Sequence, residues 1–125
     1  MNTKFSIKDR LQSFQYAFNG LGILFLEEHN ARIHLCAGIV AIGLGWLYSI
    51  SATEWLIVIL VIAIVFATEL FNSAIESLCD HVTPDLHPQI KKIKDLSAAA
   101  VLITAVMALI VGVIIFAPKV LGLPL

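Results

Sequence analysis

"ELFNSAIESLCD", residues 69–80, follows fourteen residues without a charge, Trp55 to Thr68. It places three carboxylates and an amide where a membrane helix should still be apolar. Crossing the hydrocarbon core takes about 20 residues at ~1.5 Å each. A helix entering at Trp55 therefore emerges near Ala74 and leaves Glu69 about 8 Å inside the core. At ~100° per residue, Glu69, Asn72, Glu76 and Asp80 fall within an arc of about 80°. They form one polar stripe, about 16 Å long. An intramembrane carboxylate costs at least ~2.5–3.5 kcal/mol on insertion scales, so stability does not explain it. Continuation of the helix past the membrane surface accounts for Glu76 and Asp80. It does not account for Glu69, which is marked as functional.

The rest of the chain supports a membrane setting. Of 125 residues, 59% are hydrophobic and only 14% charged, with mean hydropathy +0.93, against about a quarter charged in soluble domains. The length bounds the chain to a single domain, 1–125. Besides the run from Trp55, Ile33–Ile50 and Leu96–Ala117 carry no charge over eighteen and twenty-two residues. Spans are expected at about 32–50, 54–79 and 90–117. Pro84 and Pro88 keep His81–Gln89 from forming regular helix, and Pro118 is expected to close the third span. No secretory signal pattern is evident at the N-terminus. A formal net charge of −1 gives no indication of nucleic-acid binding.

Ahead of the first span, Ile7, Leu11, Phe14, Phe18, Leu21 and Phe25 recur at steps of four and three, which predicts an amphipathic helix over about 5–28. Such a helix lies on the membrane surface, docks on the protein's own spans, or does both. Gly20 and Gly22 imply a bend or a close approach midway. Lys4, Lys8, Arg10 and Arg32 precede span one, and Lys91, Lys92 and Lys94 precede span three. The N-terminus and second loop are thus expected on the cytoplasmic side of an inner membrane, in a multi-pass topology. Trp46, Tyr48 and Trp55 fit an aromatic belt at the opposite face. Small residues at every fourth position (Ala37, Ala41, Gly45; Ala100, Thr104, Ala108, Gly112) permit close helix approach and favour oligomerisation. Cys36 and Cys79 lack metal-ligand spacing and are expected to be small buried side chains. His87 is placed to cap span three before Pro88, while His29 and His34 suggest polar anchors at the interface.

Lys94 and Asp95 open span three at the level of Glu76 and Asp80, and Glu27 and Glu28 precede span one at the same face. Carboxylates and a lysine thus converge at one membrane boundary. Phosphoryl transfer needs such a set: Mg²⁺ takes a few carboxylate oxygens plus phosphate oxygens, and the reaction needs charge neutralisation and an oriented hydroxyl. A carboxylate withdrawn from water suits proton acceptance from an alcohol. The cytoplasm supplies ATP and the bilayer a lipid alcohol. Neither a Walker A sequence nor a protein-kinase motif set occurs.

Residues 69–80 match E-x-x-N-[ST]-A-I-E-x-x-x-D at every fixed position, and "KDLSAAAVL" supplies a second block. With Arg10, Tyr16, Gly20, Glu28 and Arg32 upstream, the chain resembles the prokaryotic diacylglycerol kinase family, small membrane lipid kinases that include undecaprenol kinases. The resemblance implies an all-α homotrimer with a surface helix and three spans per chain, and sites between subunits. It implies Glu69 as catalytic base supported by Asn72, Glu28 and Glu76 on Mg²⁺, and Arg10, Tyr16, Asp80, Lys94 and Asp95 at ATP. "EEHNARIH" and "HPQIKKIKD" look more like the undecaprenol-kinase branch. Ala98 stands where the diacylglycerol branch often has serine, and His34 where it commonly has an acid. The alternative is a non-enzymatic ion or proton conduit lined by Glu69, Glu76 and Asp80. A conduit needs polar residues throughout, and Trp55–Ala67 offers none.

Overall fold

The computed structural model describes residues 4–124. Four helices follow in order: α1 Ile7–Glu27, α2 His29–Leu47, α3 Ala52–Val82 and α4 Pro88–Val120. No strand occurs among the described residues. Helices α2, α3 and α4 are each long and apolar enough to cross a membrane. The chain is an all-α membrane protein with an amphipathic surface helix and three spans.

Local chemistry sets the helix ends. Ser6 Oγ accepts from the Asp9 amide and starts α1. An extended Glu28 stops it, and α2 follows at once. Arg32, one turn into α2, reaches back with Nε 2.7 Å from the Phe25 carbonyl and also donates to that of Leu26. These are carbonyls of α1's last turn, which have no helical donor. Ser51 and Glu54 form a reciprocal capping box at the start of α3. As anticipated, His87 caps α4, its Nδ1 accepting from the Gln89 amide at 3.2 Å with Pro88 in the first turn.

Two expectations are corrected. Pro118 does not close the third span: α4 continues to Val120. In the last turn the proline removes only one helical hydrogen bond. The stop is Gly122 at φ 66°, where the amides of Gly122 and Leu123 return to the carbonyls of Lys119 and Pro118. Nor do Gly20 and Gly22 admit a close neighbour within this chain, since a Cβ on either would meet nothing within 4 Å. The cysteines divide: Cys79 is buried, whereas Cys36 is exposed on this chain.

Helices α3 and α4 form the most extensive pair. Lys119 Nζ and Glu54 Oε1 join them at 2.8 Å near one end. Thr68 and Thr104 share a hydrogen bond at 2.9 Å in the middle, and Lys94 Nζ meets Asp80 Oδ1 at 2.6 Å toward the other end. Val58, Ile115, Phe116 and Ile50 form the buried apolar cluster. α2 leans on α3 through its small residues, with Gly38 against Ile62 and Gly45 against Trp55. Ile7, Leu11, Phe14 and Phe18 on α1 remain exposed; only the helix's C-terminal end docks, through buried Leu24 and an edge-on contact of Phe25 with Phe66 at 5.5 Å. The apolar face of α1 is therefore free for lipid along most of its length.

At Gly45 a Cβ would stand 2.7 Å from the Trp55 ring. Gly45→Ala is expected to destabilise the α2–α3 pair by about 1–3 kcal/mol, as overpacking does, read as an earlier thermal unfolding transition in detergent.

Candidate active site

Glu69 is the deepest ionisable group of α3, 1% exposed. Its burial follows from register: Val58, Val65 and Glu69 lie at successive positions of the face that α3 turns inward. Oε1 has His34 Nε2 at 3.1 Å, yet the approach is oblique and leaves the oxygen without a properly directed hydrogen bond. One turn on, the buried Ser73 Oγ also lacks a partner. Glu28 and Glu76, besides His34, are near enough for their charges to act on Glu69. Glu28 reaches it from the α1–α2 junction and Glu76 from two turns along α3.

The remainder of the stripe faces α4. Ser97 Oγ donates to Asn72 Oδ1 at 2.6 Å, which fixes the amide's orientation. Asp80 holds Lys94 as described, and Asp95 pairs instead with Lys91 one turn earlier on its own helix. Tyr16 and Arg10 are not gathered in. Both are exposed on α1, and Arg10 lies over the Phe5 ring at 5.8 Å. Among the described residues, no cluster of three or more His, Cys, Asp or Glu side chains could cage a metal alone.

An apolar cleft of about 650 Å³ runs between α2, α3 and α4, from His34 at one end to Leu121 at the other. Its walls include Ala41, Ile62, Val65, Ala108 and Phe116, and His34 is the only polar side chain in the lining. His34 and Ser97 are the site residues that sequence reasoning missed. A histidine in an apolar run resembles an interface anchor until the helices are packed. Ser97 could have been found from helical spacing, being the first hydroxyl inside α4 at the depth of Asn72.

The fold and site define an integral-membrane protein with one buried carboxylate, Glu69, and an apolar cleft that ends beside it. Residues 15–116 match the family described as prokaryotic diacylglycerol kinase. An undecaprenol kinase of Bacillus subtilis is 38% identical over 86% of this chain and 88% of the relative. A diacylglycerol kinase of Synechocystis sp. is 35% identical over 90% of this chain and 65% of the relative. For a diacylglycerol kinase of Escherichia coli the identity is 28%, over 76% and 78%. The chain belongs to the prokaryotic diacylglycerol kinase family and is an ATP-dependent membrane lipid kinase.

Ser97→Ala frees the Asn72 amide by removing a hydrogen bond worth about 1 kcal/mol. Lipid phosphorylation by the purified variant is expected to fall by roughly 3–10-fold, measured as the initial rate at saturating ATP.

Proposed function

We propose that this protein transfers the γ-phosphoryl group of ATP to the hydroxyl of a membrane lipid alcohol, undecaprenol before diacylglycerol, with Glu69 as general base. The observation that carries this reading is a carboxylate 1% exposed, with one oxygen lacking a directed hydrogen bond, close to the end of an apolar cleft. The acceptor lies with its tail along the cleft and its hydroxyl at Glu69. The hydroxyl proton passes to the carboxylate as the oxygen bonds to the γ-phosphorus. The bond from that phosphorus to the β–γ bridging oxygen breaks, and its electron pair leaves on ADP. Asn72, held by Ser97, supports the reacting groups.

Lys94, Asp80, Asp95, Tyr16 and Arg10 bind the nucleotide. Lys94, in the second turn of α4, already pairs with Asp80 of α3 and so stands at the end of the polar stripe. Arg10 and Tyr16 approach from the surface helix, or from a neighbouring copy in a homotrimer. Glu28 and Glu76 would hold Mg²⁺, which when bound offsets phosphate charge. The Lys and Arg distribution puts this face in the cytoplasm of a cell whose inner membrane holds the enzyme. Undecaprenol is favoured because the undecaprenol kinase relative matches over most of both chains.

Purified protein with radiolabelled ATP, Mg²⁺ and a panel of lipid alcohols is expected to label undecaprenol most strongly. Label in no lipid would refute the reading. Glu69→Gln is expected to lower turnover by at least ~100-fold with the helical content and melting unchanged, and a fully active variant removes Glu69 from the base role. Glu76→Gln should raise the Mg²⁺ concentration needed for half-maximal rate; an unaltered metal titration counts against Glu76 as a ligand.

A further inference from the structure

We infer that His34 is a positioning residue for the Glu69 carboxylate, the group that keeps the base aimed at the end of the lipid cleft. The inference rests on the reading of Glu69 as base. Its ground is the contact between the two helices: His34 Nε2, on α2, is 3.1 Å from Glu69 Oε1, on α3. The His34 side chain is 22% exposed and forms the sole polar part of the cleft lining, so one residue touches both the carboxylate and the path of the tail.

The surroundings leave no substitute. The other ionisable neighbours whose charge reaches Glu69 are Glu28 and Glu76, and both repel it. Three cations of the same face are engaged elsewhere: Arg32 on the carbonyls of α1, Lys94 on Asp80, Lys91 on Asp95. Without His34, a carboxylate among like charges would be free to swing about its terminal torsion. An imidazole N–H against that oxygen restricts the swing and favours the orientation that faces the cleft. The oblique approach leaves a lone pair of Oε1 open for the acceptor's proton. His34 need not touch the phosphate or gain a proton in the reaction; it acts through Glu69.

The test uses the full chain in mixed micelles, with undecaprenol and, in parallel, dioctanoylglycerol as acceptors. His34→Leu is expected to lower kcat on the order of 10–100-fold while KM for Mg-ATP stays within about 2-fold. His34→Gln, which keeps an N–H donor of similar reach, is expected to recover kcat to within about 3-fold of the parent. His34→Asn, one methylene shorter, should not. In the Glu69→Gln background, His34→Leu should cost nothing more, because the two residues act as one unit. A His34→Leu enzyme with unchanged kcat overturns the inference. So does a Gln variant no better than Asn, a comparison that holds even where the Leu variant fails to fold. If Glu69→Gln is itself active, the base reading falls first; if it is inactive and His34→Leu is fully active, only the role of His34 falls.

Discussion

A carboxylate kept out of water at membrane depth is the constraint from which the other features follow. Glu69 has almost no contact with solvent, and a charged or polar group so placed destabilises the fold unless its surroundings compensate. The chain compensates incompletely. One histidine leans on the carboxylate, two further acids lie near it, and one oxygen is left open. A sequence selected for stability alone would place leucine there. The residual frustration is that of a buried polar group with one oxygen left without a directed partner.

Everything on the far side of Glu69 is arranged for apolar contact. The cleft wall is aliphatic and aromatic from Ala37 to Leu121, and the polar groups of the α3–α4 seam, Thr68 with Thr104, satisfy one another. Toward the opposite end of α3 the chemistry reverses within two turns: Asn72, Glu76 and Asp80 succeed one another along one side. The molecule thus sorts apolar and polar chemistry by depth along a single helix. A proton path across the membrane would require polar groups along the cleft, and His34 is the only one there.

Much of this was legible in the sequence because membrane folding is dominated by long-wavelength signals. Runs of uncharged residues gave the three spans, and a four-three recurrence of Phe, Leu and Ile gave the surface helix. The stripe Glu69–Asn72–Glu76–Asp80 was legible because helical spacing makes a face. What escaped depends on packing between helices. No periodicity reveals that His34 on α2 meets Glu69 on α3 or that Asp95 turns to Lys91. Pro118 misled because a proline's effect depends on its distance from the helix end, and the decisive signal was the left-handed Gly122 four residues on. Arg32 was counted as a topogenic charge, and its second function, satisfying the last carbonyls of α1, follows from a backbone break at Glu28.

The three cross-links between α3 and α4 carry a mechanical consequence. Glu54–Lys119, Thr68–Thr104 and Asp80–Lys94 are spaced along nearly the full seam, so those two helices behave as one stiff plank. α2 is held less firmly: it rests on α3 through glycines, aliphatic contacts and the single polar contact of His34 with Glu69, and is tethered to α1 by Arg32. Compliance is therefore concentrated on one wall of the groove.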